Sequence, residues 1–250
     1  SFLSGNPLAR GKIEYSYLLQ PGLAGHFKTK HGIEDYRFQL ANDFNGKELR
    51  MNKTGKLDER GEYRLTTDHF KNMPCPAHMN LRVTAATPEG KEVSRSSAMN
   101  WFPGNRASGI MLSDYYKEKD TADIAVTVID SQGRPVSAQA DVTFYQVHPH
   151  KSAWKRSKKR RMDVVERQKN IRLDKTCKVS FIPPRSGHYL VKIDTRDNKD
   201  NIVSTSAEFN VMSADTRSSS TLSIMKPKKT CTTGETITLN VRSSKTCKAE

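Results

Sequence analysis

The chain has 250 residues, with 42 Lys and Arg against 27 Asp and Glu, for a net charge of +15. No stretch approaches the roughly 20 apolar residues that a membrane-spanning helix needs. Ser1-Phe2-Leu3-Ser4-Gly5 lacks the basic flank and apolar core of a secretory leader, so the chain is expected to be soluble, with any targeting segment outside it. Hydrophobic residues make up 35% and charged residues 28%, but 9 Phe, 8 Tyr and 2 Trp exclude a disordered tail and indicate a folded, thin-cored protein of small units.

In chain order, the turn Gly5-Asn6-Pro7-Leu8-Ala9 is followed by alternating Ile13, Tyr15 and Tyr17. After the turn Thr87-Pro88-Glu89-Gly90 and a linker from Trp101 to Ala107 come Ile110-Met111-Leu112 and the alternating triplet Ile124, Val126, Val128. The turn Ser131-Gln132-Gly133-Arg134-Pro135 leads to Val142 and Phe144, and then to the pairs Val179 and Phe181, and Leu190 and Ile193. Arg196-Asp197-Asn198 reads as another turn, before Phe209 and Val211. A polar linker from Ser213 to Ser220 separates these from Leu222-Ser223-Ile224-Met225 and from Ile237, Leu239 and Val241. Apolar residues at every second position, bounded by turn formers, predict half-buried antiparallel strands. Only Arg161 to Lys169 has a helical look, and Met162, Val164 and Val165 form no stripe there, so the most it suggests is a short helical turn inside a long loop.

The order of elements recurs. Gly5-Asn6-Pro7 and its strand correspond to Gly133-Arg134-Pro135 and Asp141-Val142-Thr143-Phe144-Tyr145, and Gly61-Glu62-Tyr63-Arg64-Leu65 corresponds to Gly187-His188-Tyr189-Leu190-Val191. Ile124, Val126, Val128 correspond in turn to Ile237, Leu239, Val241. Units of about 110 residues made of short strands indicate β-sandwiches of immunoglobulin or fibronectin type, in which a Tyr near the start of a late strand packs inward and bonds backbone through its hydroxyl. The expected fold class is all-β, with tandem antiparallel sandwiches: an incomplete one at residues 1–104 lacking its first strands, a complete one at 105–213, and the opening strands of another at 214–250.

The segments resemble, in order, the macroglobulin-like domains of the α2-macroglobulin family, above all its bacterial members. The resembling pieces begin with Phe2-Leu3-Ser4-Gly5-Asn6-Pro7-Leu8-Ala9, Ile33-Glu34-Asp35-Tyr36-Arg37-Phe38 and Leu57-Asp58-Glu59-Arg60-Gly61. They continue with Ile129-Asp130-Ser131-Gln132-Gly133-Arg134-Pro135-Val136, Pro183-Pro184-Arg185-Ser186-Gly187-His188-Tyr189, and Lys226 to Val241 around Gly234-Glu235. The resemblance implies a piece of a protease-trapping protein whose partners are target proteases, met through the full-length molecule in the periplasm, at the cell envelope or outside the cell. It implies no enzyme. Many members carry a thioester in a Cys-x-Glu-Gln motif, but Cys75 is followed by Pro76, Cys177 by Lys178, Cys231 by Thr232 and Cys247 by Lys248, so no thioester is expected here.

For chemistry of its own the chain offers little. No Ser/His/Asp motif, phosphate-cradling glycine loop or paired-carboxylate signature is present, so no catalytic residues and no cofactor are assigned. His148-Pro149-His150 lacks further ligands at metal spacing, and no metal is assigned. Four cysteines without a Cys-x-x-Cys allow three pairings, with mostly free thiols expected; Cys177, alternating with Val179 and Phe181, is placed on the inner face of a strand. Lys151 to Asn170 holds nine Lys and Arg against Asp163 and Glu166. The first reading of that run is an exposed, mobile loop that trypsin cuts first. The second is contact with an acidic envelope surface through Lys155, Arg156, Lys158, Lys159, Arg160 and Arg161, as in a cell-envelope adhesin binding acidic glycan or lipid. Nucleic acid is a remote third, since Trp154 is the one aromatic in the run.

Overall fold

The computed structural model describes residues 9–41, 48–65, 70, 73–86, 91–113, 116–148, 160–213, 222–224 and 241–243. Its described residues are all-β apart from one six-residue helix, α1 (Gly25–Lys30). The first sheet joins β1 (Lys12–Pro21), β2 (Leu49–Lys56), β3 (Ala77–Ala86) and β4 (Glu92–Trp101), antiparallel in the order β2-β1-β3-β4. The predicted alternation sets its face: Ile13, Tyr15, Tyr17 and Leu19 are all buried. That face is covered by Leu40, Phe70, Met73 and Cys75, with the Phe70 ring edge-on to Tyr17 at 5.0 Å.

Two further sheets pack face to face. One joins β5 (Arg106–Met111), β7 (Ala122–Asp130) and β10 (Thr176–Phe181) in the order β10-β7-β5. The other joins β6 (Tyr116–Lys117), β8 (Ala138–Val147), β9 (Met162–Leu173), β11 (Gly187–Arg196) and β12 (Ile202–Met212) in the order β6-β12-β11-β8-β9. The first contributes Ile110, Ile124, Val126, Val128, Val179 and Phe181; the second answers with Val142, Phe144, Tyr189, Val191, Ile193, Phe209 and Val211. Phe144 and Phe181 stack across the gap at 4.2 Å, as two inner faces of a sandwich require. Near the C-terminus, β13 (Leu222–Ile224) pairs antiparallel with β14 (Val241–Ser243), Leu222 opposite Ser243. Much of the second predicted strand there, around Ile237 and Leu239, lies outside the described residues.

One expectation is overturned. Residues 162–170, read from sequence as part of a loop with a helical turn, belong to β9 and pair with β8 from Met162 opposite Val147 to Leu173 opposite Ala138. Two register shifts, between Ala140 and Val142 and between Phe144 and Tyr145, insert extra residues into β9. Each bulge reverses which face the following side chains occupy, so the two-residue period is erased in the sequence although the strand is continuous.

A five-residue turn occurs three times. Asp58 Oδ1 accepts from the N–H groups of Arg60 and Glu62, Asp130 Oδ1 from those of Gln132 and Arg134, and Asp197 Oδ1 from those of Lys199 and Asn201. The fourth residue is left-handed each time: Gly61 at φ 74°, Gly133 at 80°, and Asp200 at 58°. A short carboxylate that caps its own turn, followed by a residue tolerating positive φ, is the local code for this connection.

The tyrosine expectation holds in the sandwich. Tyr189 is fully buried and its hydroxyl donates to the Arg185 carbonyl at 2.7 Å. Its counterpart differs: Tyr63 lies outside any strand, is exposed, and meets the Tyr15 hydroxyl at 3.3 Å. Cys75 is buried and free; Cys177 is half-buried and free on the inner side of β10, as predicted, while Cys231 and Cys247 lie outside the described residues.

Candidate functional site

The most heavily built site is the joint between the first sheet and the sandwich. Leaving β1, the chain runs through α1 and a turn-rich segment, a stretch that carries Leu23, Phe27, Ile33, Tyr36 and Phe38 out of the first sheet's core. These pack instead with Phe102, Ala107, Ile129 and Val203, a second apolar cluster with contributors from both sides. Phe38, 2% exposed, lies over Gly109, where a Cβ would come within 2.5 Å of the ring. Only glycine leaves room there for the ring.

Backbone bonds lock this wedge. Arg37 and Ile110 exchange both N–H···O bonds, at 2.8 and 2.9 Å. The exposed edge of β12 is capped from the same direction: Ser206 N–H donates to the Gln39 carbonyl at 2.9 Å, Ser204 N–H to the Pro74 carbonyl at 2.7 Å, and Ala41 N–H to Ser206 Oγ at 2.8 Å. An edge strand that would otherwise offer free N–H groups is thereby satisfied.

The connection between β4 and β5 is only residues 102–105, shorter than the predicted linker, and Asp197 holds it. Its Oδ2 accepts from Asn105 N–H and from the Asn201 side chain, both at 3.0 Å, while Oδ1 accepts from two turn amides. Burial alone would raise this carboxyl; the four donors overcome it and hold Asp197 at about 2. Beside it, Thr205 Oγ1 donates to the Ser108 carbonyl at 2.8 Å and the Ser108 and Thr195 hydroxyls bond each other.

The basic run forms a second candidate. Its predicted contacts Lys155, Arg156, Lys158 and Lys159 lie outside the described residues. Arg160 and Arg161 are described, and both are engaged within the fold. Arg160 forks onto the Glu208 carboxylate, with Nη1 at 3.1 Å from Oε2 and Nη2 on Oε1; His188 Nε2 lies 2.7 Å from the same carboxylate. Burial opposes ionisation of Glu208, but Arg160 and His188 together hold its carboxyl below the usual range. Arg161 meets Asp163 at 3.2 and 3.3 Å, His148 Nε2 lies 2.8 Å from Asp163 Oδ2, and these bonds, Arg161's foremost, lower the Asp163 carboxyl.

His148, weighed in sequence as a metal ligand and not assigned one, is thus tied to a carboxylate at the loop end of the β8–β9 hairpin. Its partner Asp163 sits in the strand hidden by the bulges. The wedge residues were equally hidden, since Leu23, Phe27, Ile33 and Phe38 follow no single period.

Among the described residues no group of three His, Cys, Asp or Glu is placed to hold a metal ion, and no helix is long and apolar enough to cross a membrane. Burial raises the thiols of both Cys75 and Cys177, the reverse of what a nucleophile needs.

A sandwich and a companion sheet joined by a buried wedge define a tandem antiparallel β-sandwich protein of macroglobulin-like fold. No family profile and no curated protein sequence matches the chain. Among solved structures, it is similar to E. coli alpha-2-macroglobulin in its native conformation, with a TM-score of 0.57 and 16% identity over 96% of this chain and 17% of that one. Against trypsin-activated alpha-2-macroglobulin from the same organism the TM-score is again 0.57, with 18% identity over 90% of this chain and 16% of that one. The likeness is one of fold, and the chain spans about a sixth of the length of those proteins.

Proposed function

We propose that this chain is a structural segment of a bacterial α2-macroglobulin-like protease inhibitor acting in the periplasm or at the cell envelope, with macroglobulin-like units at residues 1–104, 105–213 and 214–250. The observation that carries the reading is the wedge. Phe38, Arg37 and Gln39 fasten the first sheet to the sandwich through apolar burial and paired backbone bonds together, which suits a frame that must keep its units aligned while another part of a larger molecule moves. The fold likeness to E. coli alpha-2-macroglobulin supplies the protease-trapping context. In this reading target proteases are met through the full-length protein, and the chain itself performs no catalysis.

The test compares two molecules. The full polypeptide carrying this segment should shield trypsin from a protein substrate, and Phe38→Ala within it should weaken that shielding, whereas the isolated 250-residue chain at equimolar concentration should leave trypsin fully active. A full polypeptide with no effect on trypsin would overturn the inhibitor reading, and inhibition by the isolated chain would overturn the scaffold role. The adhesin reading gains nothing from Arg160 and Arg161, whose charges are answered by Glu208 and Asp163.

A further inference from the structure

Among the described residues, strand β4 is the outermost strand of the first sheet, paired along all ten residues with β3 in unbroken register. It contains neither Pro nor Gly, and its ionisable residues are Glu92 and Arg95 alone. The opposite edge, β2, carries Arg50, Lys53 and Lys56, the usual protection of a sheet edge against further pairing. The register aligns Ile13, Ala85 and Val93 in one row and Leu19, Met79 and Met99 in another, so Val93 and Met99 share the apolar face of the sheet. Yet Val93 is 56% and Met99 46% exposed, while Ile13, Leu19 and Met79 are buried.

We propose that two copies of this chain associate through β4, edge to edge and antiparallel, about a two-fold axis at Ser96. The occupant follows from self-complementarity. Val93 and Met99 stand three residues either side of Ser96, so a register centred there sets each Val93 opposite the other copy's Met99. The same register sets Arg95 opposite Ser97, Ser94 opposite Ala98, and Glu92 opposite Asn100, with every pair on a common face. Centring on Arg95 would oppose that arginine to itself, and centring on Ser97 would set it against Met99. The result is one continuous eight-stranded sheet in which both exposed apolar side chains are covered. A single strand pair is a small interface, and each copy carries a net charge of +15, so association is weak and is strengthened by salt.

Sedimentation equilibrium on the full chain over a concentration series, at low and at moderate salt, tests this. The weight-average mass should rise from one chain toward two, further at the higher salt. Met99→Lys and Val93→Lys, both at largely exposed positions, should each hold it at one chain with the far-UV circular dichroism unchanged. Register is read separately in a Cys177→Ser, Cys231→Ser, Cys247→Ser background, with buried Cys75 kept. There Ser96→Cys should form a disulfide-linked dimer on mild oxidation, because directly opposed strand residues lie at disulfide distance, and Ser94→Cys should not. A constant single-chain mass, a lysine variant that still associates, or Ser94→Cys linking as readily as Ser96→Cys would overturn the proposal.

Discussion

The Phe38 ring rests on the backbone of Gly109 so closely that a Cβ there would sit 2.5 Å from Cζ. One aromatic side chain from the first sheet's connection thus depends on the absence of a side chain in β5. Phe38→Ala should cost about 3–5 kcal/mol, as for a fully buried phenylalanine. Gly109→Ala should also destabilise, although alanine ordinarily favours a strand over glycine, because the ring must leave its site. In the Phe38→Ala background the added methyl has space, so urea unfolding of the double variant should show less than the sum of the single losses. Strict additivity would mean that the contact does not couple the two sides.

Asp197 makes stability depend on acid. Its carboxyl titrates at about 2 in the fold against an ordinary 3.8, so the folded value is the lower one. The contribution is therefore complete above the unfolded value and is lost as pH falls through 3.8 toward 2, amounting to roughly 2 kcal/mol for this 7%-exposed group. Asp197→Asn should lower stability at neutral pH and flatten the acid limb by about that amount in denaturant titrations between pH 5 and 2. An unchanged acid limb would assign the pH dependence to other carboxylates.

The three Asp-capped turns do not share a residue type at the left-handed position, and the difference is measurable. Asp200 occupies at φ 58° the place that Gly61 and Gly133 fill at 74° and 80°. Asp200→Gly should relieve that conformation and gain about 0.5 kcal/mol, seen as a small rise in Tm. Gly133→Ala should lose more than about 1 kcal/mol, since the new methyl is strained in φ and would lie 2.6 Å from the His31 ring.

What sequence could show follows from these contacts. Strands with one buried face, such as β1 with its run Ile13, Tyr15, Tyr17, declare themselves because burial and pleat share a period of two. The Asp130 turn is legible for a similar reason, its capping carboxylate and left-handed glycine being local in sequence. Strand β9 was hidden because two bulges change its parity, and the wedge because Phe38 answers to Gly109, some seventy residues away, rather than to its neighbours. The run of cations was plain in sequence; that Arg160 and Arg161 meet Glu208 and Asp163 depends on strand pairing that composition does not encode.

The two Gly-x-Tyr segments, alike in sequence, should respond differently to loss of one oxygen. Tyr189 is fully buried, its ring stacks at 5.7 Å on Phe209, and its hydroxyl satisfies the Arg185 carbonyl ahead of β11. Phenylalanine keeps the ring contacts but leaves that carbonyl without its donor, so Tyr189→Phe should cost about 1–2 kcal/mol. Tyr63 is exposed, and its hydroxyl makes only a 3.3 Å contact with Tyr15, which water can replace. Tyr63→Phe should therefore change stability by less than about 0.5 kcal/mol. Equal losses in matched urea titrations would show that the Tyr189 hydroxyl adds nothing special to the corner, and that the ring alone holds β11 in register with β8 and β12.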